Sequence, residues 1–460
     1  MQKLPEKPPS DWGKSLELEQ AKFTEDLDLQ KEVTEYNRRY QYWDEQKYRI
    51  NDPDRRKYVW ALMKFLRLMR YERVPFPQLP LTYSFIPEIV KGLHTIDRHL
   101  SGTIRIHNKA IRLEQSYIIN SLMEEAIASS ILEGAATTRK AAKEMLQKGR
   151  KPKNDSERMV LNNYEALRFI LEKKDESLSP SLILDIQRIV AKGTMDEKFV
   201  GQFRTDNEVV VADSGTGIIY HTPPDHKEIK GFIEELCKFA NYEEDAGKQV
   251  AGEFIHPVLK GIILHYLIGY LHPFYDGNGR TARSIFYWYV LSSGYWLFEY
   301  MPISRIILRS KKKYGLSYLY TEYDESDITY FIKYNISCIT QALDDLLKYL
   351  ENKQSEQNAT KAIIKKIKEI NQRQANILRH MMEHSDEYFT IRQITQMYDV
   401  VYQTARTDLQ HLVDLGYVTM ENRGREFIFI FNEHSELWKE KSEKKVNEKT
   451  QKKLGDFPPA

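Results

Sequence analysis

Residues 272–283 read HPFYDGNGRTAR, and this stretch decides how the rest of the chain is interpreted. Pro273 predicts that a helix ends at His272, because proline pushes the residue before it out of the helical conformation. The turn at 277–279 permits positive φ angles and leaves amide N–H groups pointing outward. A second helix is expected to start near Arg280, so its N-terminal dipole faces the same point. Such an arrangement binds anions, phosphates in particular.

The side chains of this stretch indicate what would be done with a bound phosphate. Arg280 and Arg283 are three residues apart, so one helix face directs both toward one polyphosphate. Asp276 is a hard oxygen ligand suited to Mg²⁺ that bridges phosphates. His272, with an ordinary pKa near about 6.5, can accept a hydroxyl proton at neutral pH. Phe274 is expected to anchor the loop in the core. The alternative is a glycine turn between two helices with solvated arginines.

The same stretch matches the Fic family signature HPFx(D/E)GNGRxxR at every defining position, so the chain resembles that family. The resemblance implies a mainly α fold with an all-α core and a short β-hairpin flap. It also implies transfer of AMP from ATP, with Mg²⁺, to a Ser, Thr or Tyr hydroxyl of a protein substrate, the chain itself included. The roles implied are His272 as base, Asp276 for Mg²⁺, Gly277, Asn278 and Gly279 for the α and β phosphates, and Arg280 and Arg283 for the β and γ phosphates. An acidic residue at position 276 favours AMP transfer over the kinase chemistry of the Doc branch, which carries lysine there.

A second segment, SSILEG at 129–134, ends a helical pattern, and Gly134 is predicted to stop the helix. Glu133 would then carry a negative charge at the negative end of the helix dipole, which is unfavourable without a nearby cation. Taken alone, an exposed glutamate in a frayed last turn is the simpler interpretation. Beside the loop, the segment resembles the inhibitory Fic pattern (S/T)xxxE(G/N). The resemblance implies Ser129 and Glu133 as inhibitory residues, with Glu133 holding Arg283 away from the γ phosphate; in some relatives this glutamate also supports removal of AMP.

Two β-branched runs, 208–211 and 218–221, flank a turn-rich segment and predict a β-hairpin. The hairpin resembles the Fic flap, which pairs with an extended target segment by strand addition. Ile219, Tyr220 and His221 are the candidate docking residues. Tyr314 and Tyr318 are candidates for an adenine pocket, although core packing explains aromatic residues there as well.

Residues 371–431 follow the helix and strand order of a winged helix. The side chains that would face a DNA major groove are Gln403, Thr404, Arg406, Thr407 and Gln410, with Arg423 and Arg425 on phosphate. Asp408 and Asp414 dilute the positive charge of that helix, and winged helices also serve in protein docking and dimerisation. DNA and a protein partner, a homodimer included, both stay open.

Two functions therefore compete. One is an autoinhibited AMP transferase, and the other is a winged-helix DNA-binding regulator whose Fic domain senses nucleotide. His272, Asp276 and the complete arginine pair favour the enzyme, since a sensor needs no general base.

Composition restricts the remaining classes. A chain of 460 residues is expected to form two or three domains, and its net charge of +2 gives no global argument for nucleic acid or a membrane surface. Cys237 and Cys338 are the two cysteines, so a disulfide framework is excluded and a reducing compartment is favoured. The N-terminus has no signal-like apolar run, and no stretch reaches the roughly 18 apolar residues of a spanning helix. A cytoplasmic protein without membrane contact is expected.

The expected organisation follows from these patterns. In chain order it comprises a polar arm and helix at 1–57, a helical part at 58–200 that includes the inhibitory helix at about 116–134, the Fic core with flap and loop at 201–349, a linker helix at 350–370, a winged helix at 371–431 and a disordered tail at 432–460.

Overall fold

A computed structural model describes residues 4–14, 26–100, 105–106, 109–110, 115–213, 215–242, 254–364, 367, 369–385, 387–398, 400–423 and 426–435. The chain divides into two compact units, Met1–Leu346 and Leu347–Ala460. Within the described ranges, none of the helices is both long and apolar enough to cross a membrane. The predicted phosphate contact Arg425, part of the linker helix and the tail beyond residue 435 lie outside the described residues.

The first unit begins with helices and very short strands. In chain order they are α1 (Leu27–Arg39), α2 (Trp43–Gln46), α3 (Pro53–Leu68), β1 (Glu72–Arg73), β2 (Thr82–Tyr83), α4 (Pro87–Leu100), β3 (Arg105–Ile106) and β4 (Lys109–Ala110). β1 pairs antiparallel with β2, and β3 with β4. The described part of the N-terminal arm is bonded to this unit, because Tyr42 donates its hydroxyl to the Glu6 carbonyl at 2.8 Å and Trp12 Nε1 donates to Glu325 at 3.1 Å.

The rest of the first unit is the helical body that carries the loop. Its elements are α5 (Gln115–Leu132), α6 (Arg139–Lys148), α7 (Asp155–Glu172), α8 (Pro180–Ala191), β5 (Val211–Ala212), β6 (Ile219–His221), α9 (Ile229–Asn241), α10 (Pro257–Leu271), α11 (Asn278–Ser292), α12 (Ile303–Arg309), α13 (Lys311–Tyr323) and α14 (Thr329–Ile364), with 3₁₀ turns at Glu197–Phe199, His226–Glu228 and Trp296–Tyr300. The predicted β-hairpin is present but shorter than expected, and β5 pairs with β6 antiparallel.

Two helices form the centre of this body, and the loop joins them. α10 is buried on nearly every side, and α11 packs along it. A helix that is apolar all round belongs in the interior of a protein, which is why α10 lacks the amphipathic pattern of the outer helices. α5 packs on α7 and α12, while α8 packs on α7 and α11. The loop between α10 and α11 is therefore held by rigid elements on both sides.

The second unit contains the end of α14, followed by α15 (Gln372–Glu383), β7 (Tyr388–Thr390), α16 (Ile391–Tyr398), α17 (Tyr402–Asp414), β8 (Val418–Arg423) and β9 (Glu426–Phe431). Its three strands form one antiparallel sheet in the order β7-β9-β8. Apolar residues of the three helices and of the sheet share one core. The three helices and the β8–β9 hairpin follow the predicted order, and β7 is a strand that sequence patterning missed.

Candidate active site

His272 ends α10 in the left-handed conformation, with φ 44° and ψ 58°. Its Nδ1 lies 2.6 Å from the carbonyl oxygen of Gly269. A carbonyl can only accept, so Nδ1 carries the hydrogen and Nε2 keeps its lone pair. The ring is half-buried. Burial lowers the pKa of His272 below its ordinary value, although the bond to Gly269 opposes that shift. The side chain is thus an uncharged base at neutral pH.

The turn after His272 ends at the N-terminus of a helix. Gly277 has φ 82°, a value that favours glycine, and α11 begins at Asn278, slightly earlier than predicted. The Asn278 side chain bonds Phe274 twice: its Nδ2 donates to the Phe274 carbonyl at 2.7 Å, and its Oδ1 accepts from the Phe274 N–H at 2.9 Å. Phe274 is fully buried, as predicted. The Asn278 side chain therefore closes the loop and is not available to a ligand.

The first arginine of the loop is already engaged. Arg280 is completely buried; it donates to the carbonyl of Val190 at 3.0 Å and to Oδ2 of Asp276 at 2.9 Å. Asp276 is half exposed, at 51%. Within the described ranges, no group of three or more His, Cys, Asp or Glu could hold a metal alone. One exposed carboxylate nevertheless fits Mg²⁺, which is commonly held by one or two carboxylates together with substrate phosphates.

The second arginine of the loop contacts the end of α5. Arg283 is 3% exposed. Its Nε donates to Oγ of Ser129 at 2.9 Å, and its Nη2 donates to the Ser129 carbonyl at 3.1 Å. The same Nη2 lies 2.9 Å from Oε1 of Glu133, whose side chain is 32% exposed. The structure therefore brings the predicted inhibitory residues onto the predicted arginine.

The Glu133 carboxylate also lies against the N-terminus of α11. A Cβ atom at Gly279 would overlap this carboxylate, so only glycine permits the approach. Burial opposes ionisation of Glu133, but the charges of Arg283 and Arg280 outweigh burial and hold the pKa of Glu133 below its usual value. α5 ends at Leu132 and Gly134 has φ 98°, as predicted for the helix stop. A glutamate anion thus occupies the point where the amides of α11 would receive a phosphate.

Two buried side chains hold the loop from outside. Sequence reasoning missed their contacts with the loop. Gln187 on α8 donates to the Asp276 carbonyl at 3.2 Å and accepts from the N–H of Gly201. Arg204 donates through Nε to the His272 carbonyl at 2.9 Å, and its N–H donates to the Pro273 carbonyl at 2.9 Å. The signal at Gln187 was a polar residue on the apolar face of a predicted helix. Nothing local marked Arg204.

The flap residues have different environments. Ile219 is 51% exposed, and Tyr220 donates its hydroxyl to Oδ2 of Asp213 at 3.0 Å. His221 is turned inward and is 8% exposed. Of the three predicted docking residues, Ile219 presents an accessible apolar side chain.

Tyr314 and Tyr318 of α13 lie beside the loop. The hydroxyl of Tyr314 is 2.9 Å from Nε2 of His265, a histidine whose pKa burial lowers to about 3. A Cβ atom at Gly269 would overlap the hydroxyl of Tyr318. The Tyr318 ring therefore sits next to the Gly269 backbone that holds His272, and the positions of both tyrosines fit either predicted role, pocket or core.

The predicted recognition helix in the second unit differs from expectation in one respect. Asp408 is 2% exposed and is bonded to Arg373 and Gln374 of α15. Asp408 therefore does not dilute the surface charge of α17, contrary to the sequence-based interpretation. Asp414 is exposed and accepts from Gln410 at 3.0 Å.

The chain is similar to known proteins in sequence and in fold. The Fic/DOC family profile matches residues 177–290. "Protein adenylyltransferase Fic" of Nematostella vectensis is 28% identical over 191 residues, which is 41% of this chain and 39% of that protein. The protein of the same name from Drosophila virilis is 25% identical over 192 residues, 41% of this chain and 35% of its own length. The chain thus spans well under half of these curated relatives.

Among solved structures, a Fic family protein from Desulfovibrio desulfuricans G20 aligns with a TM-score of 0.50 at 17% identity, over 77% of this chain and 98% of that one. That alignment supports the mainly α fold. The profile match contains His272, Asp276 and both arginines of the loop, and residues 177–290 of this chain are a Fic domain.

Proposed function

We propose that this chain is an autoinhibited protein adenylyltransferase, which moves AMP from ATP to a Ser, Thr or Tyr hydroxyl of a protein. The observation that carries the proposal is the loop at 272–283: an uncharged histidine with a free Nε2 beside the amide N-terminus of α11 and two buried arginines. The Fic/DOC profile covers this loop, and the relatives named protein adenylyltransferase support the same chemistry.

His272 is the base in this proposal. The hydroxyl oxygen of the target attacks the α phosphorus of ATP, a new P–O bond forms, and the bond from that phosphorus to the pyrophosphate oxygen breaks. Nε2 of His272 takes the hydroxyl proton, because Nδ1 is occupied by Gly269. The lowered pKa of His272 keeps the base uncharged at neutral pH.

The remaining loop residues bind the nucleotide. The amides of Gly277, Asn278 and Gly279 would face the α and β phosphates at the helix N-terminus, and Arg280 and Arg283 would face the β and γ phosphates. Asp276 would hold Mg²⁺ through its exposed carboxylate. The ion supplies positive charge that neutralises the leaving pyrophosphate.

The resting state is the inhibited one in this proposal. Glu133 binds Arg283 at 2.9 Å and lies against Gly279, so a γ phosphate and the Glu133 carboxylate would compete for the same cation. Two anions at one site repel each other. ATP that binds under these conditions is displaced from the position that aligns its α phosphorus with His272.

The flap supports a protein target rather than a small one. In the described part of the chain, β5 and β6 pair with each other and with no third strand. A two-stranded ribbon of this kind has an unpaired edge to which an extended peptide can add. Ile219, exposed at 51%, would contact the side chains of such a peptide.

Labelling with ATP radioactive at the α phosphate tests the proposal. We expect the Glu133→Gly variant to transfer label to itself or to proteins of a cell lysate, and the wild-type chain to transfer little. His272→Ala in the Glu133→Gly background should abolish labelling. Glu176→Gly is the matched control, because Glu176 also lies outside a helix and pairs with a cation, but that cation is Lys173 and not an arginine of the loop. A folded Glu133→Gly protein that labels nothing would refute the proposed activity.

DNA binding by the second unit is a second candidate, favoured by the burial of Asp408. With Asp408 neutralised by Arg373, the exposed face of α17 carries the predicted readers, Gln403, Arg406, Thr407 and Gln410. A mobility shift with the full chain at low salt tests this function. Binding that weakens steeply with salt and with Arg406→Ala would support a DNA-binding regulator, while its absence at low salt would exclude one.

A further inference from the structure

The flap strand β6 ends in a histidine whose ring nitrogens both have a fixed partner. Nδ1 of His221 lies 2.9 Å from Oε2 of Glu322 on α13, and Nε2 lies 2.7 Å from the Tyr270 carbonyl in the last turn of α10. The side chains of His221 and Glu322 are 7% and 18% exposed. We name these three groups, the His221 ring, the Glu322 carboxylate and the Tyr270 carbonyl, the His221 bridge.

Both partners are hydrogen-bond acceptors. A carboxylate oxygen and a carbonyl oxygen have no hydrogen to donate, so each ring nitrogen must donate its own. A neutral ring would direct a lone pair at one of the two oxygens at close range. We propose that His221 is a positioning residue: a doubly protonated imidazolium that fastens the flap to the two helices beside His272. This inference rests on the proposed function, because a docking flap and a base at His272 are what the bridge positions.

The bridge reaches both halves of the proposed site. On one side, His221 pairs with Val211 of β5, so its ring fixes the height of the hairpin above the helices. On the other side, Tyr270 lies two residues before His272, and the two histidine rings are 6.3 Å apart. A cation at that distance disfavours a second cation on His272. The bridge would therefore set the docking edge in place and help to keep the base uncharged.

Glu322 decides the charge of the bridge. The other titratable groups around the bridge are Tyr266, Tyr270 and His272 from α10, Tyr323 from α13 and Glu228 from the turn after the flap. Arg204, from the segment before the flap, acts on His272. Among the described residues, Glu322 is the ionisable side chain hydrogen-bonded to the His221 ring. Replacing its carboxylate with an amide removes the negative charge but keeps the shape.

The first measurement is nitrogen NMR of the histidine rings in the full wild-type chain at neutral pH, with His221→Gln used to assign the signal. We expect the His221 ring to show two protonated nitrogens, and the Glu322→Gln variant to show one. A wild-type His221 ring with a single protonated nitrogen would overturn the proposal. The wild-type spectrum decides this point even where a variant is poorly folded.

The second measurement is hydrogen exchange of the flap amides in the same proteins. His221→Gln and Glu322→Gln should raise exchange across 211–221 by about tenfold or more, since the hairpin loses its attachment. His226→Gln is the matched control, because His226 follows the flap and contacts Asp225 without contacting the bridge. Unchanged exchange in both bridge variants would overturn the proposal. Neither readout needs AMP transfer, so a failure of the bridge is separable from a failure of the proposed activity.

Discussion

The first unit contains two clusters of buried charge that differ in how completely they are bonded. The first, which we call the buried cluster, is formed by Lys64, Arg67, Asp324 and Asp327, and every member is at most 3% exposed. Lys64 lies 2.8 Å from Oδ1 of Asp324, and the other carboxylate oxygen accepts from Tyr330 at 2.8 Å. Tyr40 and Tyr71 donate to the second aspartate at 2.6 Å and 2.8 Å.

The cluster on α11 is left incomplete. Within the described residues, four buried side-chain atoms of this cluster have no hydrogen bond: Nε of Arg280, Oγ1 of Thr281, Nη1 of Arg283 and Oγ of Ser284. No side-chain atom of Lys64, Arg67, Asp324 or Asp327 is in that condition. Glu133, which completes part of this cluster, is 32% exposed and belongs to the segment just after α5. Buried polar atoms without partners are costly and rare.

The difference separates structure from function. The buried cluster joins α3 to the turn between α13 and α14, and it has no capacity left for a ligand. The α11 cluster has spare donors around one replaceable anion. Substitutions in the first cluster should therefore change stability, and substitutions in the second should change nucleotide binding.

The largest expected effect is on folding. Asp324→Ala should lower the free energy of unfolding by about 3–5 kcal/mol, because it leaves Lys64 and Arg67 buried without their nearest carboxylate. Chemical denaturation of the full chain measures the change. Glu144→Ala is the control, since Glu144 pairs with Lys148 at the surface and should have no measurable effect. Equal stability of the two variants would contradict the structural role of the cluster.

The next effect concerns ATP. In Glu133→Gly, the γ phosphate can replace the carboxylate on Arg283, and a hydrogen bond to a charged group contributes about 1.5–3 kcal/mol. ATP should therefore bind this variant about 10- to 100-fold more tightly than it binds the wild-type chain. AMP, which has no γ phosphate, should bind the two proteins similarly. Isothermal titration in Mg²⁺ measures both ligands, and an equal gain for AMP would show that Glu133 does not face the γ phosphate.

Sequence reasoning identified the parts of this site that are contiguous in the chain. The loop at 272–283, the stop at Gly134 and the helix end at His272 depend on local rules of proline, glycine and helix dipoles, and the structure has them where they were expected. The Glu133–Arg283 contact joins distant segments, and it was expected only because a family pattern supplied the partner.

What could not be predicted is long-range pairing. Lys64 and Asp324 are 260 residues apart, and Arg373 meets Asp408 from another helix. Helical periodicity assigns such residues to a face, but it does not say which charge on another element lies opposite. Arg204 was missed for the same reason, since its partners are backbone carbonyls of the loop and have no sequence signature.

A smaller effect is expected one turn before Glu133. Ser129→Ala removes the acceptor for Nε of Arg283 but leaves the Ser129 carbonyl in place. Loss of this bond should weaken the hold on Arg283 by about 1 kcal/mol and strengthen ATP binding about fivefold. Ser130→Ala is the matched control, because Ser130 is equally buried but bonds to carbonyls of Ala126 and Met159. The same gain from both serines would indicate a loosened helix rather than a released arginine.

The smallest effect is expected from pH. Arg283 and Arg280 outweigh burial and hold the pKa of Glu133 below its ordinary value. The inhibitory contact is therefore fully present above the unfolded pKa of about 4.3, and it is lost only as the pH falls through the lower pKa of the folded protein. The ratio of ATP affinities between Glu133→Gly and the wild-type chain should therefore stay constant from pH 8 to about pH 5. Titrations at several pH values measure the ratio. A ratio that decreases between pH 8 and about pH 5 would mean that Glu133 becomes protonated there and that acid alone weakens inhibition. A constant ratio leaves displacement of Glu133, and not its protonation, as the way to free Arg283.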